Sequence, residues 1–349
     1  MNMKQCCHTL LGFGLIATMT FGAEDFGTNA AQMPQSTPEF QRLFPNASSS
    51  KLVVKEQEGI GFDDLEHSLQ DPSNVIKVGD TYYVWMSWRT LNIQVNQGEI
   101  SYATSKDGRH WENKGICFHR GEPGAWDDRG VYTPYVVVSG GKYYLFYSGI
   151  AKDWKIGDQI GLAVADSPDG PWQRVSDKPV LTPTAGSWDS RLVDDAHVIV
   201  RGGKFLLYYK GISGTDKWYQ SRQSVAIADK IEGPYVKSDK NPVISKGQCA
   251  CVWPHADGVT AISDLGKQIL WSPDGLDFTM VNKGQWVGAG PGPYDPDAHS
   301  NTKHGGGIQW GVMQFGHPVP ADSNRCVIAR FDLDLRTRNH NDHEQERGR

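Results

Sequence analysis

Two aspartates carry the chemistry this sequence offers. Asp71 opens the stretch Asp71-Pro72-Ser73-Asn74-Val75-Ile76-Lys77-Val78, and Asp195 opens Asp195-Ala196-His197-Val198-Ile199-Val200. Each stands ahead of a strand rather than in a hairpin and is read as functional, whereas Asp80, Asp107, Asp169 and Asp274 lie beside glycines and read as turn residues. Two carboxylates facing one funnel suit glycoside hydrolysis, where one activates water and other groups stabilise and protonate the departing sugar. A proton donor must accompany them. His255 is the candidate acid, with His197, His299 and His304 as the other histidines in reach. His197 lies two residues beyond Asp195, on the same face of a regular strand, and reads as a structural or metal-holding channel residue. Asp128, close to Trp126 and Arg129, either contacts a sugar or pairs with that arginine. A zinc hydrolase would need a spaced set such as His-Glu-x-x-His, which the sequence lacks. A phosphorylase would need clustered cations, and Arg129, Arg191 and Lys210 are scattered.

The elements that position these residues recur. Val136-Val137-Val138, Gly140-Gly141 and Lys142-Tyr143-Tyr144-Leu145-Phe146-Tyr147 repeat the pattern of Ile76-Lys77-Val78, Gly79-Asp80 and Thr81-Tyr82-Tyr83-Val84-Trp85. Val198-Ile199-Val200, Gly202-Gly203 and Lys204-Phe205-Leu206-Leu207-Tyr208-Tyr209 repeat it again. A second landmark closes each unit: Tyr102-Ala103-Thr104-Ser105 with Asp107-Gly108, then Ala163-Val164-Ala165-Asp166-Ser167 with Asp169-Gly170, then Ala226-Ile227-Ala228-Asp229 with Glu232-Gly233. The period is about 62, and a fourth copy around Trp271-Ser272-Pro273-Asp274-Gly275 follows after about 42. Four strands per unit predict a propeller blade. With a fifth, shorter unit from about 306 to 335, the expected fold is an all-β, five-bladed β-propeller over residues 59–338; an eight-stranded barrel or sandwich fits the four-part repeat less well.

Composition bounds the remainder. The 349 residues suit one large all-β domain, and 12 Trp with 13 Tyr exceed what a core usually needs, which suits sugar stacking. A formal charge of −5 with no basic stripe argues against a nucleic-acid partner. Residues 1–23 read as a signal peptide, with Lys4 ahead of an apolar run too short to span a bilayer, so the chain is expected to be secreted or periplasmic. No later stretch predicts a membrane span. Residues 24–58 read as a leader arm in which Phe40, Leu43 and Phe44 could pack a short helix, and 339–349 as a polar tail. Of the cysteines beyond the signal, Cys249 and Cys251 share a strand face and are poorly placed to bridge each other.

Several of these segments resemble glycoside hydrolase family 117. They are Asp71-Pro72-Ser73, Trp126-Asp127-Asp128-Arg129 with Val131-Tyr132-Thr133-Pro134, Leu207-Tyr208-Tyr209-Lys210-Gly211, Val225-Ala226-Ile227-Ala228-Asp229 and Cys251-Val252-Trp253-Pro254. The resemblance runs from about Gly59 to Trp310. It implies a five-bladed exo-hydrolase that releases terminal α-1,3-linked 3,6-anhydro-L-galactose from agar-derived oligosaccharides with inversion. By that likeness Asp71 is the general base and Asp195 the second carboxylate. Trp126, Asp128, Arg129, Thr133, Tyr135, His197, Lys210, Gln248 and Trp253 are then expected at the substrate, with no cofactor required and the channel metal undecided. The departures bear on chemistry. Gln248-Cys249 stands where the family places a His-Glu pair whose histidine is the acid, Thr133-Pro134-Tyr135 replaces Thr-Pro-Glu, and Gln70 replaces an arginine. The family's N-terminal arm motif is missing, so its arm-exchanged dimer does not carry over, although a dimer stays open. A related glycosidase for a galactosyl or arabinosyl unit, or a non-catalytic sugar-binding propeller, are the alternatives.

Overall fold

The structure is a computed structural model and describes residues 37–337 except 65, 92, 94–96, 154, 155, 266, 287 and 317–324. The signal peptide and the polar tail expected from sequence lie outside the described residues. A one-turn-and-a-half helix, α1 (Pro38–Leu43), starts on Thr37, whose hydroxyl accepts the Phe40 amide at 3.0 Å. Strand β1 (Val53–Ile60) follows.

The repeat unit appears as antiparallel sheets. The first holds β2 (His67–Gln70), β3 (Ile76–Val78), β4 (Thr81–Thr90), β5 (Glu99–Ser105) and β6 (Trp111–Phe118). The second holds β7 (Gly130–Ser139), β8 (Lys142–Ile150), β9 (Gln159–Ala165) and β10 (Gln173–Arg174), and the third β11 (Leu192–Arg201), β12 (Lys204–Ile212), β13 (Arg222–Ala228) and β14 (Val236–Lys237). An eight-stranded sheet then combines β15 (Ala250–Ala256), β16 (Gly258–Ser263), β17 (Gln268–Ser272), β18 (Thr279–Lys283), β19 (Ala289–Pro293), β20 (Gly305–Gly316) and β21 (Cys326–Arg336) with β1. The fold is thus all-β and of propeller type. The hairpins between first and second strands use Gly140-Gly141 (φ 56° and 77°) and Gly202-Gly203 (φ 60° and 73°), the doubly left-handed turn that matches strand twist. Asp107 and Asp274 are turn residues as expected: each carboxylate collects the next two backbone amides beyond its glycine at 2.8–3.0 Å.

Residues 53–58, placed by the sequence in the leader arm, instead belong to β1, which pairs with the last described strand, β21, from Val53↔Asp332 to Ile60↔Ile328. Its alternating Lys and Glu hid an outer edge strand. The first and last strands of the described chain therefore close the ring. Apolar clusters fill the spaces between neighbouring strand groups, and α1 with the Phe44 that caps it buries Phe40, Leu43 and Phe44 in the cluster that joins β15–β18 to β20 and β21. Cys117, Cys249, Cys251 and Cys326 are all free thiols.

A second feature repeats with the same period. Trp126-Asp127 precedes β7 and Trp188-Asp189 precedes β11. Trp126 stacks on Tyr147 at 5.7 Å, and the Tyr147 hydroxyl donates to Asp127 at 3.0 Å. Trp188 stacks on Tyr209 at 6.3 Å, and the Tyr209 hydroxyl donates to Asp189 at 3.3 Å. A cation from the outer strand completes each clasp, Arg174 on Asp127 and Lys237 on Asp189. Gly149 and Gly211 must be glycine, since a Cβ there would come within 2.6–2.7 Å of the clasp tryptophan and 2.8 Å of the clasp aspartate's Cβ. Trp126, expected from sequence at the substrate, is here part of the packing of a blade.

Asp127 is fully buried, while Arg174 keeps partial exposure. Asp127→Ala strands the arginine and the Tyr147 hydroxyl, and should cost about 2–4 kcal/mol, near the lower end for breaking a buried pair. A fall in melting temperature by calorimetry checks this, and an unchanged transition would show that the clasp is not structural.

Candidate active site

The site is built on a backbone irregularity that recurs at equal intervals. Asp71 (φ 49°), Thr133 (φ 47°) and Asp195 (φ 53°) are left-handed, and the three positions are 62 residues apart, 133 − 71 and 195 − 133. A non-glycine residue in this conformation is strained and is held by its surroundings. In β7 and β11 it coincides with a bulge, between Tyr132 and Tyr135 and between Asp194 and His197. Such a bulge re-aims a side chain toward the strand end.

Neighbouring blades supply the restraint. The Asp71 amide donates to Gln314 Oε1 at 2.7 Å, the Thr133 amide to Ser87 Oγ at 2.9 Å, and the Asp195 amide to Ser148 Oγ at 3.2 Å. Each serine also serves its own blade. Ser87 Oγ donates to Asp71 Oδ2 at 2.9 Å, and the Ser148 and Thr133 hydroxyls bond each other. In the third unit Lys210 takes the serine's place, with Nζ 2.7 Å from Asp195 Oδ2 and 3.0 Å from Asp194 Oδ2. A relay of small polar groups thus runs round the funnel from blade to blade and ends on an ammonium.

Charge is concentrated here. Asp194 and Asp195 are 4% and 7% exposed, and Cys249 places its thiol 3.6 Å from Asp195 Oδ2, donating to it. Burial pushes the Asp71 carboxyl up to about 6, with the Asp195 charge adding to the rise, against the Ser87 hydrogen bond and the Lys210 and Arg89 charges. Asp194 is driven well upward by burial, and Asp158 upward for the same reason while accepting a hydrogen bond from Tyr132. The Lys210 ammonium is held well above its usual value by Asp194 and Asp195, whose pull outweighs the larger cost of burial. Arg89 reaches in from β4, bonding Gln70 Oε1 at 3.3 Å and the Ile93 carbonyl at 2.9 Å. It brings a positive charge toward Asp71 beside the position where the family has its arginine.

The structure brings together Asp71, Thr133, Asp195 and Lys210, and Gln248 stands next to the thiol on Asp195. Gln248 is half-buried and fixed through its backbone, its amide donating to Asp264 at 3.1 Å. Lys210, expected at the substrate, pairs with the two carboxylates. His255 does not join them. It is fully buried, its Nε2 lies 2.8 Å from the Leu43 carbonyl, its ring packs on Phe44 at 4.5 Å, and burial lowers its pKa to about 4. The helix α1 thus covers the residue expected to be the acid. Trp253 is fully buried in the same cluster and is core. Asp128 ties a loop, accepting the Gly124 and Lys152 amides at 2.9 and 2.8 Å, and the Arg129 amide donates to Ile150. Tyr135 and His197 face each other at 4.8 Å inside the channel, both buried, and burial lowers His197 to about 4 so that it is neutral at ordinary pH. The bulge at Asp195 breaks the two-residue alternation that had set His197 on the aspartate's face. Sequence reasoning missed Asp194, Asp158, Cys249, Ser87 and Ser148. The near-regular spacing of Ser87, Ser148 and Lys210, 61 and 62 residues apart toward the ends of aromatic strands, was the available signal. Among the described residues no group of three or more His, Cys, Asp or Glu side chains is arranged to hold a metal ion.

Two consequences can be measured. The folded state holds the Asp71 proton more tightly than the unfolded chain, so stability falls as pH rises from about 4 through about 6 and stays lower above. Asp71→Asn should therefore abolish turnover yet raise the melting temperature near neutral pH and leave it unchanged near pH 4; equal melting at both would show that Asp71 is not strained by burial. Lys210→Met removes a charge that lowers Asp71. The acid limb of kcat/KM should move to higher pH and the fold should lose stability at neutral pH, and an unmoved limb would mean that Lys210 does not act on the base.

Comparisons with known proteins agree with this geometry. The family model described as Glycosyl hydrolases family 43 matches residues 65–197, the segment that holds both Asp71 and Asp195. A solved family 117 glycoside hydrolase from the marine bacterium Zobellia galactanivorans superposes with a TM-score of 0.74 at 28% identity, covering 82% of this chain and 91% of that one. A beta-xylosidase of Xylanibacter ruminicola is 31% identical over 109 residues, 31% of each chain. An uncharacterized protein of Mycobacterium tuberculosis is 29% identical over 140 residues, 38% of this chain and 44% of that one, so the matches span less than half of either curated relative. The chain is a glycoside hydrolase of the propeller type found in families 117 and 43, and it resembles family 117 over most of its length.

Proposed function

We propose that the protein is an exo-acting, inverting glycosidase that removes a terminal anhydrogalactose-type sugar from oligosaccharides of red-algal galactans, agar or carrageenan, outside the cytoplasm. The observation that carries the reading is that Asp71 and the Lys210-bound Asp195 occupy matching left-handed positions of two units, with the Asp195 charge acting on Asp71. A base works best with a pKa near the working pH, and Asp71 at about 6 meets that condition. In the reaction Asp71 takes a proton from water as that water attacks the anomeric carbon, while the Asp195 carboxylate offsets the positive charge developing on the ring. The departing oxygen needs a proton. His255 is covered, His197 is neutral and buried, and Gln248 cannot donate, so the nearby groups that burial biases toward holding protons are Asp158 and Asp194. The fold reading completes to five blades if the eight-stranded sheet counts as two, joined where His255 and Ala256 pair with Gly306 and Gly305.

Tyr135 is buried against His197 rather than facing sugar hydroxyls, which supports a second reading with another terminal sugar, galactosyl or arabinosyl. The test is incubation of the mature protein and Asp71→Asn with agar, porphyran and carrageenan oligosaccharides and with aryl galactosides and arabinosides, reading products by mass and anomeric NMR. Release of one terminal unit with inverted configuration by the wild type alone is expected. Retention of configuration, internal cleavage, or equal turnover by Asp71→Asn would overturn the mechanism, and release only from the aryl arabinosides or galactosides would transfer it to the second reading.

A further inference from the structure

Among the described residues the strongly exposed large apolar side chains fall into two groups. Val53, Val236 and Met280 lie on outer strands, and Val175 follows one. The others, Ile93, Ile156, Trp218 and Tyr219, are 39%, 53%, 49% and 57% exposed. They occupy the corresponding loops of three successive units, each leaving the second strand just beyond Ser87, Ser148 or Lys210 and so opening at the carboxylate end of the funnel. Outer-strand exposure is ordinary for an edge, but an apolar rim on one end of a polar funnel marks an interaction surface.

The third of these loops is the most developed. Its two aromatic rings stand 5.8 Å apart at 84° on a single 3-10 turn, Trp218–Gln220. The turn is held in place: Arg191 donates to the Asp216 carbonyl at 3.5 Å, Arg222 pairs with Asp216 at 3.7 Å, and the Lys217 amide donates to Gln220 Oε1 at 2.9 Å. The Gly214 amide donates to Ser190 at 3.3 Å, so the loop is tied to the segment that leads into Asp194 and Asp195. Beside Ile93 on the first loop a cleft of about 210 Å³ opens, lined also by Trp88, Arg89, Glu99 and Arg120. Flat apolar faces on a fixed turn, with polar groups around them and the carboxylates at the same end of the funnel, fit the C–H face of a pyranose ring.

We propose that Trp218 and Tyr219 form a stacking subsite for sugar rings of the substrate chain beyond the scissile bond, so that the enzyme prefers oligosaccharides longer than two units. This rests on the glycosidase reading of the same funnel. The subsite holds the part of the chain that leaves, while the terminal unit occupies the carboxylate end.

The experiment compares wild type, Trp218→Ala, Tyr219→Ala and the double variant on neoagaro- and carrageenan oligosaccharides of two, four and six units. Met280→Ala serves as an exposed control on an outer strand. In the wild type kcat/KM should rise with chain length, and each rim variant should lose that gain by about fivefold to tenfold, mostly in KM, which corresponds to about 1 kcal/mol per ring. Met280→Ala should keep the gain. The same proteins are run in native gels containing agarose, carrageenan or xylan, and sized by chromatography. A wild type that cleaves none of the ladder but is retarded by a polysaccharide, with retardation lost in the double variant, would defeat the proposed substrate and uphold the subsite. Equal chain-length dependence and equal retardation in all variants would overturn the subsite, as would absence of both cleavage and retardation. A wild-type dimer converted to monomer by the double variant, with retardation unchanged, would assign the rim to a second copy of the chain and also overturn it.

Discussion

A single buried ammonium makes the site tenable. Lys210 lies against Asp194 and Asp195, and its charge reaches Asp158 and Asp71, so one cation serves four carboxyl groups in a space largely closed to water. Taking that many charges out of water without compensation would cost several kcal/mol for each ion. The uncompensated part appears as upward pressure on the carboxyls of Asp71, Asp158 and Asp194. The strain that would weaken an ordinary protein core is here the source of a base with useful proton affinity.

The relay of Ser87, Ser148 and Lys210 explains how a ring of separate sheets can hold two aspartates in one geometry. Each left-handed residue is restrained by a group from the preceding unit, so no blade positions its own catalytic residue alone. The clasps at Asp127 and Asp189 do the corresponding work at the outer edge, tying tyrosine, tryptophan and an outer-strand cation together within each unit. Two repeats with the same period thus have different purposes, one packing and one chemical. Residues at equivalent places diverge where chemistry is needed: serine, serine and then lysine.

How much of this could be read beforehand depended on the range of the interactions. The hairpins and Asp-Gly turns are local, and their glycines announce them. Asp71 and Asp195 were legible because their offset from a hairpin differs from that of a turn aspartate. Asp194 was not, since a neighbour on a regular strand should point the other way, and only the bulge and the positive φ of Asp195 turn both acids toward Lys210. His255 and Trp253 carry suitable chemistry in unsuitable places, because a helix more than 200 residues earlier covers the histidine. Strand β1 was hidden by its charge, which suits an outer strand paired on one side.

The closure by β1 and β21 has a consequence for how the molecule comes into being. The last of the described strands is the one that seals the circle, and it is in register with the first of them. Until it arrives, the early sheets stand with an unpaired edge and with Ile60 and Leu69 uncovered on the side that Ile328 later fills. Contacts this distant in sequence form slowly, and a partly made chain is prone to pairing with the wrong neighbour. A protein of this design gains from being held back from stable pairing until the closing strand is available.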